Sequence, residues 1–272
     1  MSAATTIDHA LRDFRRLDLL AAGDSWVHRL DARAKVLAVA GYVLAVVSCN
    51  RYALTELLPF AVFPAFVVLA ARLPADLVLR RSALVLPFAL AVGALNPLFD
   101  RGILIEAGPL AISGGFVSWA SIVLRALLAA SGAVVLVGTT GFAQIAAALG
   151  RLGMPRALVV QLSFLYRYLQ LLGDETRRVL GARELRACGR RLEMAELGPL
   201  VGQLLLRTWQ RAERIYMAML ARGFNGRFPP SGTARFGTRE AGFVAGWFVV
   251  FLLLRVSSLT RDLGAALLGV LG

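Results

Sequence analysis

Five nearly unbroken apolar runs, Val36 to Cys49, Ala53 to Ala71, Leu84 to Phe99, Ile122 to Val137 and Ala241 to Val256, are what this chain must fold around. A membrane-crossing helix needs about 20 such residues, and fewer where protein covers it or the bilayer thins. Backbone groups inside lipid must be satisfied within the segment, which a helix does by itself. The expected fold is therefore an all-α polytopic membrane protein with five or six transmembrane helices. The 58% hydrophobic content agrees, since soluble domains hold roughly 45–50%. Ile103 to Ile112 and Leu263 to Leu271 are apolar but only about ten residues long, too short to span. They read as interfacial or re-entrant pieces.

Loop charge orients the runs, because cytoplasmic loops hold the excess of Lys and Arg. The second and third runs are joined through Arg72, Arg80 and Arg81 against Asp76, and the third and fourth through Arg101 against Asp100 and Glu106. The former loop belongs inside and the latter outside. Gly150 to Glu240 carries 16 Arg against 7 acidic residues and returns to the side of the N-terminus. The expected organisation is a cytoplasmic lead-in at 1–35, four spans at 36–149, an Arg-rich cytoplasmic domain at 150–240, and a last span and outer C-terminus at 241–272.

Several function classes fall away on composition. The formal charge of +13 is what basic loops give, and without a nucleic-acid reader motif no nucleic-acid partner is expected. The single lysine, Lys35, is not part of a Gly-Lys-Ser/Thr phosphate loop, so any ATP-driven work belongs to another subunit. His9 and His28 are the only histidines and stand at no ligand spacing from a cysteine, so no metal site or bound cofactor is expected. Asp24, Ser25 and His28 lie close in sequence without a nucleophile elbow, so no catalytic residue is assigned. Cys49 and Cys188 sit in different settings and are not expected to pair. Glu56 and Arg125 lie near the ends of their runs, which disfavours a self-sufficient secondary transporter with a charged site at mid-bilayer.

The Arg-rich stretch has helical grammar. Pro155 suits a first turn, and Arg156 to Ala187 runs without proline to a stop at Gly189. A second helix is expected from Gly198-Pro199 to Arg222, closed by a left-handed Gly223. Leu162, Leu165, Leu169 and Leu172 share one face, as do Leu205, Trp209, Ala212, Tyr216 and Met219 on the other helix. The two amphipathic helices are expected to pack on one another, with bending points at Gly181 and Gly198-Pro199. Arg186 and Arg222 end them beside the small residues Ala187, Ala221 and Gly223. A cation is favoured at a helix C-terminus by the macrodipole alone; small flanks also leave a guanidinium free for bidentate contact with a partner's carboxylate. In the spans, Gly41, Ala45, Gly93, Ala94, Gly132 and Ala133 are small enough to admit a neighbouring helix.

His28-Arg29-Leu30-Asp31-Ala32-Arg33-Ala34-Lys35 resembles the H-x-L-D-P-R-x-K signature before the first span of the transmembrane T components of energy-coupling factor (ECF) transporters, the CbiQ/EcfT family. Ala32 stands where the family usually has proline. Arg211 to Arg214 and Ala218 to Gly223-Phe224 resemble that family's second Ala-Arg-Gly motif, whereas Leu185-Arg186-Ala187 only half keeps the first. The likeness runs from about Trp26 to Arg227, and the Arg-Gly-Phe-Asn-Gly-Arg-Phe ending is most similar to the cobalt-importer branch, CbiQ. The resemblance implies a non-catalytic scaffold in the cytoplasmic membrane with crossed coupling helices. Its implied partners are two ATP-binding cassette ATPases, which use ATP with Mg, and a membrane substrate-binding S component, CbiM-like. Arg186, Ala187, Ala221, Arg222 and Gly223 would engage the ATPases, and His28, Leu30, Asp31, Arg33 and Lys35 form the signature near the first span. Cobalt is the implied cargo, with nickel or a vitamin as the alternative.

Overall fold

A computed structural model describes residues 18–50, 54–94, 103–107, 110–186, 194–224 and 236–256. In chain order the helices are α1 (Trp26–Arg29), α2 (Ala32–Val47), α3 (Leu54–Ala71), α4 (Ala75–Ser82), α5 (Leu86–Gly93), α6 (Gly114–Thr140), α7 (Phe142–Arg151), α8 (Arg156–Arg186), α9 (Met194–Ala221) and α10 (Thr238–Val256). Two strands, β1 (Ile103–Ala107) and β2 (Leu110–Ser113), precede α6. The protein is an all-α membrane protein in architecture, and α3 and α6 are long and apolar enough to cross a bilayer by length and composition. The chain divides into two compact units, residues 20–141 with 234–272, and residues 1–19 with 142–233.

Proline shapes the first unit. Pro59, without an N–H, forces a 3-10 turn at Leu58–Ala61 inside α3. A second 3-10 turn, Ala83–Val85, joins α4 to α5 just before Pro87. The third apolar run is therefore the far part of a helical stretch already under way at Ala75, where Asp76 sits in the first turn and Arg80 and Arg81 in the last, the signs the macrodipole favours. The segment Ile103 to Ile112, read as interfacial or re-entrant, forms most of an antiparallel hairpin with Ile105 opposite Ile112. It is a local departure from the all-α expectation. β-Branched residues on either side of Gly108-Pro109 favour strands over a short helix. Leu263 to Leu271 and the loop Asn50–Tyr52, beyond its first residue, lie outside the described residues.

α2 organises the core of this unit. Tyr42 is fully buried, its ring stacked 4.7 Å from Phe63 and tilted against Phe251 of α10 at 5.7 Å. Three of the small residues noted in the sequence make room for rings of the same chain. A Cβ on Gly132 would lie 2.9 Å from Tyr42, and one on Gly41 would lie 2.6 Å from Phe248. Gly93 seats Trp119 in the same way. α2 and α6 run antiparallel, because Lys35 reaches Thr139 while Arg125 reaches Cys49 and Asn50. α10 runs with α2: its Phe243 meets Trp26 before α2 begins, and its Phe251 meets Tyr42 further along.

In the second unit, α7 packs on α8. Phe142 stacks on Tyr166 at 4.7 Å, and Gly150 lies so close to Val159 that a Cβ would be 2.9 Å away. At a rise of 1.5 Å per residue, the 31 residues of α8 and 28 of α9 extend about 46 Å and 42 Å. α8 continues unbroken through Gly181 to Arg186. α9 begins at Met194, ahead of the expected start at Gly198-Pro199, and absorbs Pro199 near its N-terminus. The cost there is one backbone bond, from the missing Pro199 N–H. α8 and α9 meet, as expected, but most of their apolar rows lie outside the contact. Leu165, Leu169 and Leu172 of α8 and Leu205, Trp209 and Tyr216 of α9 are exposed. Ion pairs tie the two helices, Arg207 to Glu175 at 2.8 Å and Arg183 to Glu196.

Candidate functional site

The signature residues form one bonded cluster at the N-terminal end of α2. Asp31 is the N-cap: its Oδ1 accepts from the Arg33 N–H at 2.8 Å, satisfying one of the orphan donors of the first turn. Its Oδ2 accepts from Arg33 Nη2 at 3.0 Å, and that guanidinium lies 5.6 Å over the Phe236 ring. Leu30 and Ala34 are buried beside the cap.

Ala32 occupies the first helical position, where an N–H has no intrahelical acceptor. Asp31 is already in the extended conformation, φ −56° and ψ 135°, that a following proline demands. The departure from the family's proline therefore costs no contact. Restoring it by Ala32→Pro is expected to stabilise the chain by about 0.4–1 kcal/mol through the unfolded state. Thermal unfolding in detergent checks this, and a lowered midpoint contradicts it.

Lys35 is buried at 4% exposure. Its ammonium donates to the Thr139 carbonyl at 2.9 Å and to the His28 carbonyl at 3.3 Å. Thr139 lies in the last turn of α6, whose carbonyls have no intrahelical donors, so a cation there is favoured on both counts. His28 uses both ring nitrogens. Because a carbonyl can only accept, Nε2 carries the proton and donates to Leu20 at 3.0 Å, while Nδ1 accepts from the Ser25 hydroxyl at 2.8 Å. The Ser25 oxygen in turn caps α1. Asp24 pairs with Arg29 at 2.9 Å rather than with the imidazole. Ser25, His28 and Asp24 thus form a cap and a surface ion pair, not a catalytic relay.

Burial, followed by the Lys35 charge, holds the His28 pKa below its ordinary 6.5, against the Leu20 and Gly138 carbonyls and Asp24. The unfolded chain then takes up a proton at a higher pH than the folded one. Stability from this residue is complete above about pH 6.5 and declines as pH falls below it. Thermal midpoints at pH 7.5 and 5.5 are expected to fall further for the native chain than for His28→Asn. Equal falls would remove this role.

The helix tips differ in how they are built. At α9, the Gly223 N–H donates to Leu220 at 2.9 Å and the Phe224 N–H to Met219 at 3.0 Å, with Gly223 at φ +76°. This double bond pattern is the Schellman closure expected of a left-handed glycine. It leaves Ala221, Arg222 and Gly223 exposed. Arg186, the last residue of α8, is also exposed. Neither arginine is held in an ion pair among the described residues. Ala187 and the stop at Gly189 lie outside the described residues, as does His9.

Two further bonded arrangements carry no sequence signal of their own. Arg125 of α6 donates to the Cys49 and Asn50 carbonyls at 2.9 and 2.6 Å, holding the chain just past the end of α2. Cys49 is a free, buried thiol. In the other unit, Asp18 accepts from the hydroxyl of Tyr166 and, at 2.7 Å, from Gln170 Nε2. Burial and that carboxylate raise the Tyr166 pKa above its ordinary value.

The CbiQ family, described as cobalt transport protein, matches residues 23–233. Among curated relatives, the energy-coupling factor transporter transmembrane protein EcfT of Listeria innocua is 29% identical over 220 residues, covering 75% of this chain and 82% of the relative. EcfT of Leuconostoc gelidum subsp. gasicomitatum is 28% identical over 231 residues, covering 74% and 81%. The nickel permease LarQ of Lactiplantibacillus plantarum is 33% identical over 116 residues, 42% of each chain. With the signature at α2, the Ala-Arg-Gly tip at α9 and a matched region that takes in both, the chain belongs to the CbiQ/EcfT family of ECF-transporter T components.

Proposed function

We propose that this chain is the scaffold and coupling subunit of an ATP-driven importer, passing movement of two ATP-binding cassette ATPases to a CbiM-like substrate-binding S component. The observation that carries the reading is the pair of exposed arginines at the ends of the two long helices of one unit, Arg186 closing α8 and Arg222 just after α9, neither in an ion pair among the described residues. Each offers a guanidinium to a carboxylate on an ATPase surface. The ATPases bind ATP and Mg; this chain has no phosphate loop. The exposed apolar rows of α8 and α9 support a subunit that completes itself against partners.

The reading takes five spans in the cytoplasmic membrane, with the N-terminus and the unit of α7 to α9 on the cytoplasmic side and the C-terminus outside. The antiparallel α2 and α6 and the parallel α2 and α10 support that order. The cargo is cobalt, following the family's description, with nickel as the second reading because one relative is named a nickel permease. Cargo selection falls to the S component, since the chain has two histidines and the described residues hold no cluster of three potential ligands.

The test is reconstitution in proteoliposomes of this chain with its ATPase and S-component partners. Radiolabelled cobalt uptake is expected to require ATP and this chain. Uptake undiminished when this chain is omitted rejects the coupling role, and a preference for nickel moves the cargo to the second reading.

A further inference from the structure

The chain passes between its two units at residues 19/20, 141/142 and 233/234. The third passage lies outside the described residues, and the first two converge on the signature. His28 Nε2 holds the Leu20 carbonyl at 3.0 Å, and Lys35 holds the Thr139 carbonyl at 2.9 Å. The same ammonium also bonds the His28 carbonyl, so one buried cation ties both passages together. Gly141, at φ +74°, turns the chain out of α6, and a Cβ there would lie 3.3 Å from that of Ala21. The turn and the Leu20 segment are side by side within the same unit.

On the far side of the first passage the other unit has its own fastening. Asp18 is bonded to Tyr166 and Gln170 of α8. It stands two positions from Leu20, a reach of about 7 Å when extended. On the second passage Thr139 and Phe142 are three residues apart, about 10 Å. Both links are short.

We propose that Lys35 and His28 are positioning residues that pin these two passages as pivots, so that movement of the α7–α9 unit turns about them and is not dissipated by fraying of α6. Loose carbonyls in the last turn of a helix open readily under load; an ammonium buried against one resists that opening. What this says about transport rests on the coupling reading above, whereas the pinning itself does not.

The test uses the full chain in lipid nanodiscs and in the reconstituted complex, comparing the native protein with Lys35→Met and Lys35→Arg. Methionine keeps the apolar stem and removes the donors, while arginine keeps donors. In Lys35→Met, exchange of the Gly23 and Gly141 amides, bonded to Leu20 and Val137, is expected to quicken about tenfold while α8 is unchanged. In the complex, ATPase retention and hydrolysis persist, but uptake per ATP falls about tenfold, and Lys35→Arg restores much of both.

Unchanged exchange at the two amides overturns the pinning. Quickened exchange with native uptake per ATP overturns the positioning role, as does loosening that spreads through α8. Should Lys35→Met fail to insert, His28→Asn takes its place, and absence of loosening at Gly23 overturns the proposal. If the native complex retains no ATPase, the coupling reading fails while the amide measurement still decides the pinning.

Discussion

Arg222→Glu is expected to leave the protein in the membrane and to strip it of ATPase subunits, with retention on co-purification falling at least about 30-fold. The size follows from what the change does at the contact. A guanidinium that makes two parallel bonds to a carboxylate becomes a second carboxylate, so attraction and bond geometry are lost and like-charge repulsion is added. The effect is confined to the tip, because Arg222 is exposed and the Schellman closure is made by the backbones of Gly223 and Phe224. Folding therefore has no stake in the side chain.

Arg186→Glu at the end of α8 is expected to act in the same direction, and the double variant to retain no ATPase. Arg239→Glu is the control. It reverses the same charge at an exposed site in the first turn of α10, where an acid is favoured by the macrodipole, and retention should stay native. Retained ATPase in the double variant contradicts the assignment of the two tips, since nothing in the fold would then distinguish them from Arg239.

Sequence and structure agree where the determinant is local. The left-handed Gly223 is legible because capping depends on residues one to three positions apart. The apolar rows of α8 and α9 are also legible as rows, but periodicity identifies which face is apolar and is silent on what covers it. Leu165 and Trp209 belong to those rows and are exposed at 60% and 71%. The role of Lys35 could not be read, because its acceptor is a backbone carbonyl 104 residues away and any residue at 139 would supply it. Arg125 escaped for the same reason. It looked like a charge near the end of a span, and its partners are the carbonyls of Cys49 and Asn50. The hairpin at Ile103–Ser113 was missed because a run of about ten apolar residues satisfies strand and short-helix patterns alike.

Gly132→Leu is expected to be the most damaging single change within the membrane unit. Lipid tails are as apolar as the side chains, so association of α2 with α6 depends on close packing rather than on exclusion of water. That packing is centred on Gly132, where even a Cβ would stand 2.9 Å from Tyr42 and 3.8 Å from Val39. The Tyr42 ring has no free direction, being fully buried against Phe63 and Phe251. Replacing a mid-helix glycine relieves up to about 1 kcal/mol of poor helix propensity, but overpacking costs typically about 1–3 kcal/mol, and a leucine adds three more carbons than the Cβ already in collision. The overpacking wins, and the midpoint of unfolding in detergent should fall. Gly246→Leu in α10, where a Cβ meets nothing within 4 Å, gains the propensity without the clash and should unfold no earlier than the native chain. Coupling to the ring is tested by adding Tyr42→Val to Gly132→Leu: the pair should cost less than the sum of the two alone, because each relieves the misfit of the other. Additive costs would place the damage elsewhere than at the α2–α6 contact.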